Sequence, residues 1–298
     1  MSAPWLVVGK GAIGLLAASR WLLSAQSVLL WQKTPQPLSY RFSAGGRDFA
    51  MQLQNASQGP FSKVLVPVKA YDVVAVVHTL LPHLADEAQL VLCHNGMGTL
   101  EPVAALLKPG QGLWFASTSH GAYKPHALHI IHSGQGSTIL APCNDAARNC
   151  TAPIAAELTQ ALSPQTLVDD IQPYLWQKLA VNSVINPLTA LHQCRNGELN
   201  QPQYQAQIKL LLAEFVQVAA ACGQLFSGDR LYQLVQQVQS NTAQNFSSML
   251  QDVSAGRRTE LGAITGYLLQ QAAAHQLAMP EHQALYQALA AKLSPWQL

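Results

Sequence analysis

The chain has 298 residues, enough for two domains with cores of their own. Hydrophobic residues make up 49 % and charged residues 11 %, which excludes a disordered chain. The net charge is +2 and no Lys/Arg run exceeds the pair Arg257-Arg258, which excludes the dense basic footprint of a nucleic-acid or membrane-surface binder.

The predicted elements begin at the N-terminus. It is apolar but lacks a basic segment, and Lys10 and Arg20 interrupt it, so it reads as a strand, a turn and a helix rather than a signal peptide. In the first half short β-branched runs alternate with helical patterns. Strands are predicted at Trp5–Val8, Ser27–Trp31, Val64–Val68, Leu90–Cys93, Leu113–Ser117, Leu128–His132 and Thr138–Leu140. Helices fit between several of them, at Ile13–Leu23, Tyr71–Leu81 and Thr99–Leu107. That alternation predicts a parallel sheet covered by helices. From Thr34 to Ser62 the prolines and glycines predict an irregular connection, with one poor strand around Phe49–Leu53.

From Ile171 onward the patterns are helical: Tyr174–Leu191, Gln205–Cys222, Leu231–Val253 and Glu260–Gln276. Asn196-Gly197, Gly223, Gly228 and Gly256 break them apart. The expected organisation is an α/β Rossmann-type domain over residues 1–167 and an all-α domain over residues 168–298. No run of about 18 apolar residues is free of charge, so no spanning helix is expected. The five cysteines (Cys93, Cys143, Cys150, Cys194, Cys222) form no CxxC pair and read as reduced thiols of a cytoplasmic protein.

"LVVGKGAIG" places Gly9-x-Gly11-x-x-Gly14 between the first strand and the first helix. The first glycine permits a tight turn, the second lets a pyrophosphate approach the backbone, and the third allows close helix–strand packing. The phosphates would lie at the positive end of the helix dipole. The turn Gly9, Lys10, Gly11, Ala12, Ile13 and Gly14 is therefore assigned to a dinucleotide, against the alternative of a glycine corner with no ligand. An NAD site places an acid at the end of the second strand, but no acid precedes Asp48. Gln32 and Lys33 stand there instead. A cation suits a 2′-phosphate, so the reading is NADPH with Lys33 as its contact, against a solvated loop lysine.

In "KLAVNSVINPLTAL", Lys178, Asn182 and Asn186 recur every fourth residue in an otherwise apolar helix. Each step turns about 40°, so all three share one face. Left unpaired in a core, each such group would cost ~1–3 kcal/mol. Pro187 is expected to kink the helix just beyond the stripe. Spacing alone leaves a substrate site and an interdomain hydrogen-bond network open. A second stripe, Asn241, Asn245, Ser248 and Asp252, is predicted to share one face of Leu231–Val253. Glu260 opens the next helix, where a carboxylate also suits the dipole. Two amide- and hydroxyl-lined faces, a lysine and a carboxylate read as a site for a small oxygen-rich substrate.

The blocks "GKGAIG", "VKAYDV", "HNGMGTLEP", "WQKLAVNSVINPLTAL", "NGEL" and "NFSSMLQD…GRRTEL" resemble the 2-dehydropantoate 2-reductase (ketopantoate reductase) family over nearly the whole chain. The resemblance implies NADPH-dependent reduction of 2-dehydropantoate to (R)-pantoate, on the path to pantothenate and coenzyme A. It implies a Rossmann domain followed by a helical domain like the C-terminal part of 6-phosphogluconate dehydrogenase. Lys178 matches the general acid, and Glu260 the carboxylate that supports it. Asn182, Asn186, Asn245 and Ser248 match substrate contacts. Lys69 and Asn95 match residues near the reactive end of the cofactor, with Asn95 also near substrate. The implied partner is the small-molecule substrate; monomer and homodimer both stay open. The chain departs from the family at Lys33, where arginine is frequent, and at Pro67, where a hydrogen-bonding residue is more usual.

Other constellations are weaker. His126, His129 and His132 are spaced by three, but strand alternation turns His129 and His132 apart, so no metal is expected. Ser117, Ser119 and His120 lack a G-x-S-x-G elbow, so no nucleophile is assigned. A reductase of another branched 2-oxo acid and a non-catalytic NADP(H) sensor are the competing functions; a sensor has no need of the proton donor that Lys178 and Glu260 supply.

Overall fold

The computed structural model describes residues 3–298. They divide into two compact units, one formed by the chain up to His94 with Thr99–Ile171, the other by Asn95–Gly98 with Gln172–Leu298.

The first unit is built on a mixed sheet with eleven strands among the described residues. They are β1 (Trp5–Val8), β2 (Val28–Trp31), β3 (Leu38–Ala44), β4 (Arg47–Asn55), β5 (Phe61–Val66), β6 (Leu84–Leu92), β7 (Gly112–Thr118), β8 (Gly121–His126), β9 (His129–Gly134), β10 (Thr138–Pro142) and β11 (Gln165–Leu167). Their order is β11-β10-β7-β6-β5-β1-β2-β4-β3-β9-β8. The run from β7 through β6, β5, β1 and β2 to β4 is parallel throughout. Helices α1 (Ala12–Leu23), α2 (Ala70–Leu80), α3 (Leu100–Ala104), α4 (Asp145–Arg148) and α5 (Thr151–Leu162) complete the unit. All four residues of β1 are buried, as expected where a parallel strand is covered on both faces.

Trp5 and Trp21 stack in this core with ring centroids 4.6 Å apart. Their indole N–H groups donate to Glu157, Trp5 to Oε2 at 2.7 Å and Trp21 to the carbonyl at 2.8 Å. Lys63 Nζ lies 2.6 Å from the same Oε2. These bonds fasten α5 to the sheet and satisfy polar atoms that burial would otherwise penalise.

The segment after Lys33 is more regular than the sequence suggests. β3 and β4 form a hairpin in continuous register from Leu38↔Leu53 to Ala44↔Arg47. Gly45 and Gly46 make its two-residue turn at φ 56° and 74°, the backbone a type I′ hairpin requires. Leu38, Tyr40 and Phe42 alternate inward, a period-two signal that the flanking prolines and glycines obscured. β8, β11, α4 and α5 were also not foreseen, and α3 stops at Ala104, short of the expected Leu107.

The second unit is helical: α6 (Gln172–His192), α7 (Pro202–Ala221), α8 (Gly228–Asn241), α9 (Ser248–Ser254), a π turn over Gly262–Gly266 running into α10 (Tyr267–Ala274), and α11 (Pro280–Ala290). α6 is assigned without a break through Pro187. Leu179, Val184, Ile185 and Leu188 on α6 pack with Leu211 and Phe215 of α7 and Leu261, Ile264 and Leu268 around the π turn. Glu214 on α7 caps α11. Its Oε1 accepts the Glu281 amide at 2.7 Å, and its Oε2 accepts the His282 amide at 3.0 Å and lies 2.8 Å from His282 Nδ1.

The expected single helix Leu231–Val253 is two helices. Thr242 ends α8, and Ser247 caps α9 by accepting the Leu250 amide at 3.1 Å. The residues between them pair with another stretch of backbone. The Asn196 amide donates to Asn245 O at 3.0 Å, and the Gly197 amide to Ala243 O at 3.2 Å. Asn, Thr and Ser offer the backbone local alternatives to the helical ladder, and that competition breaks the helix here.

Candidate active site

The glycine turn has the geometry its spacing predicts. Gly9 sits at φ 78°, and its amide donates to Trp31 O at 2.7 Å, joining the turn to the end of β2. Gly11 is the N-cap of α1, without a side-chain cap and with no acid in the first turn. The amides of Ala12, Ile13 and Gly14 thus open the helix with no side chain capping it from the N-cap. A Cβ on Gly14 would stand 2.7 Å from Pro67 Cγ and 3.2 Å from Val7 Cγ1, so the third glycine is where helix and strand touch. The turn fits a dinucleotide pyrophosphate on these grounds: a backbone conformation that favours glycine, uncapped amides, and no carboxylate to repel an anion.

Pro67 follows the last residue of β5, beyond the sheet ladder, so its missing N–H leaves no ladder bond unmade. Lys69 is half-buried and forms the N-cap of α2. Lys33 is exposed, two residues past the end of β2.

The remaining candidates lie in the helical unit, including Asn95, which belongs to it through the short segment Asn95–Gly98. On α6, Asn186 is buried at 6 % exposure, while Lys178 and Asn182 are half-buried. Two contacts organise the other residues around this helix. Near its start, the rings of Trp176 and Tyr267 meet edge-on with centroids 6.1 Å apart, which brings the π turn alongside. Near its end, Thr189 Oγ1 lies 2.7 Å from Ser247 Oγ, which brings α9 alongside. Glu260, only 4 % exposed, immediately precedes the π-turned helix, and its carbonyl accepts the Ile264 amide at 3.0 Å. Met97 donates its amide to Ala263 O at 3.0 Å, holding the Asn95 segment on the same turn. Asn245 and Ser248, both exposed, flank the N-cap of α9.

The second stripe is not one helical face. Asn241 ends α8, Asn245 lies in the break, and Ser248 and Asp252 lie on α9. Asp252 is occupied by Arg257, whose Nε donates to Oδ1 at 2.9 Å. Asn196 was not singled out from sequence. It is buried, its amide holds Asn245 O, its Nδ2 donates to Thr242 Oγ1 at 2.9 Å, and its Oδ1 has no partner. The signal was present in the "NGEL" block, but an Asn-Gly pair reads first as a breaker.

His129 and His132 do turn apart: His129 Nε2 lies 2.7 Å from Ser43 Oγ, and His132 Nε2 lies 3.3 Å from His120 Nδ1. Among the described residues no group of three or more His, Cys, Asp or Glu could hold a metal. No helix among them is long and apolar enough to cross a membrane.

An α/β unit with a glycine turn, followed by a helical unit with a partly buried polar stripe, is the architecture of a two-domain oxidoreductase. Residues 5–145 match the family model described as ketopantoate reductase PanE/ApbA, and residues 170–293 match its C-terminal counterpart. The chain is 38 % identical to 2-dehydropantoate 2-reductase of Vibrio cholerae, over 98 % of each chain. It is similar to the crystal structure of a probable 2-dehydropantoate 2-reductase from Bacillus subtilis, at 28 % identity and TM-score 0.81 over 97 % of this chain and 99 % of that one. The fold also matches D-mandelate dehydrogenase with NADH and anilino(oxo)acetate, at TM-score 0.87 and 17 % identity over 97 % and 98 % of the two chains. The chain belongs to the ketopantoate reductase family.

Proposed function

We propose that this protein reduces the C2 ketone of 2-dehydropantoate to (R)-pantoate with NADPH, as a cytoplasmic step of pantothenate biosynthesis. The observation that carries the reading is similarity along nearly the whole length to a named 2-dehydropantoate 2-reductase. The polar stripe at Lys178, Asn182 and Asn186 on a largely buried helix supports it.

Gly9, Lys10, Gly11, Ala12, Ile13 and Gly14 hold the pyrophosphate, Lys33 the 2′-phosphate, and Lys69 and Asn95 the nicotinamide end. NADPH, when bound, supplies the hydride to the ketone carbon. As that carbon is reduced, negative charge grows on the carbonyl oxygen. The Lys178 ammonium stabilises this charge and then donates a proton to the oxygen. A lysine is suited to both tasks because charge and proton lie in one group. Glu260, buried in the same unit, favours the charged lysine against desolvation. Asn182, Asn186, Asn245 and Ser248 bond the hydroxyl and carboxylate of the substrate.

The deciding assay follows NADPH absorbance with 2-dehydropantoate, 2-oxoisovalerate and 2-oxopantolactone. The reading expects turnover fastest with 2-dehydropantoate. Faster turnover of either other compound would make the protein a reductase of a different keto compound. Tight NADPH binding without turnover of any would make it a sensor.

A further inference from the structure

The edge strand β8 packs along α1 and carries a cation back to the glycine turn. Lys124 Nζ donates to the carbonyl of Lys10 at 3.2 Å. Lys10 is the residue between the first two glycines. A backbone carbonyl at that place adds a partial negative charge to the turn assigned to the phosphates. An ammonium on that carbonyl reverses the local sign. The first turn of α1 has no acid to compete for it.

We propose that Lys124 is a further cation of the dinucleotide site, meeting the pyrophosphate from the side of β8. This rests on the reading that the glycine turn binds NADP(H). Lys124 reaches Lys10, in the turn itself, whereas a 2′-phosphate belongs at the end of β2, where Lys33 stands. Lys124 therefore serves the part of the cofactor that NADPH and NADH share. It sets affinity for both, and Lys33 sets the difference between them.

The test measures NADPH and NADH affinity by nucleotide fluorescence at low and high salt for wild type, Lys124→Gln, Lys124→Arg and Lys33→Gln. Glutamine keeps a donor for Lys10 O but removes the charge, so a merely structural strap would leave affinity unchanged. The expected result is binding of both nucleotides weakened about tenfold at low salt in Lys124→Gln, with a shallower salt dependence. Lys124→Arg should restore most of the loss, and Lys33→Gln should weaken NADPH alone. Wild-type affinity for both nucleotides in Lys124→Gln would overturn the inference, as would a lowered unfolding temperature with unchanged affinity. If wild type binds neither nucleotide, the cofactor reading itself fails and this inference falls with it.

Discussion

The amide of Met97 and the carbonyl of Ala263 are joined at 3.0 Å, so a π turn in one stretch of sequence positions a loop from another. An α-helix spends its carbonyls on its own ladder, but a π turn disturbs that ladder locally and recurs at functional sites. Here the turn begins two residues after Glu260 and holds the segment that carries Asn95. Gly96 makes the approach feasible: it adopts φ 81°, and a Cβ there would stand 2.8 Å from both Cβ and O of Ala263.

Gly96→Ala therefore forces the segment off the π turn. The expected cost is about 1–3 kcal/mol in stability, with kcat reduced together with affinity for substrate. Denaturant unfolding and steady-state kinetics on the same sample check it; unchanged kinetics would separate the segment from the site.

If Lys178 is the general acid we propose, Lys178→Ala should lower kcat by about 10²–10⁴ with nucleotide affinity kept. Asn182→Ala and Ser248→Ala should raise KM, because the proposed mechanism has them hold substrate rather than move a proton. Near-normal turnover in Lys178→Ala would remove the lysine from the mechanism.

Gly14→Ala collides with the ring of Pro67, which cannot swing away like the end of a flexible side chain. It should cost about 1–3 kcal/mol in the first unit. Pro67→Ala makes room, so the double variant should recover part of the loss. A double-mutant cycle by thermal unfolding measures that coupling, and strict additivity would show that the contact is not the cause.

Acid should unfold the protein in two stages. Burial, then the nearby Arg20 guanidinium, push the imidazoles of His120 and His132 down, and His132 adds to the effect on His120. Each then binds its proton more readily in the unfolded chain. Stability is full above about pH 6.5 and falls as the pH drops below it. Burial of Glu214 pushes its carboxyl up, but the bonds from His282 and the amides of Glu281 and His282 outweigh burial and hold it below the usual carboxylate range. Its contribution is present above about pH 4.3, the unfolded value, and is lost as the pH falls below it through the depressed native value. Unfolding temperatures measured from about pH 8 down to about pH 2.5 check both stages. A flat profile between about pH 7 and 5 would contradict the first.

Glu214→Ala tests the α11 cap directly. It strands two amides and a buried imidazole, and should cost about 3 kcal/mol or more. Glu214→Gln keeps one carboxamide oxygen as acceptor and should cost less. Equal losses in denaturant unfolding would show that the second oxygen carries the cap.

Local sequence made some features legible and hid others. β1, the glycine turn and α1 were readable because each rests on near neighbours: an apolar run, three glycines at fixed spacing, an amphipathic pattern. The α6 stripe was readable because its period is set by the helix itself. The β3–β4 hairpin was hidden, since prolines on either side imitate an irregular loop. The break between α8 and α9 was hidden for a different reason. Its backbone groups are satisfied by Asn196 and Gly197, more than forty residues earlier, and no local pattern records such a partner.

By itself the sequence determined the two-part organisation, the strand–turn–helix for a dinucleotide, the family, and the residues to examine: Lys178, Asn182, Asn186, Asn245, Ser248 and Glu260. Tertiary structure alone decided which chain segments meet. It set Met97 on Ala263, Ser247 on Thr189, Asn196 on Asn245 and Lys124 on Lys10. The first and third pairings join backbone donors and acceptors, which every residue carries alike; the other two use a hydroxyl and an ammonium whose partners lie too far along the chain for any local pattern to announce.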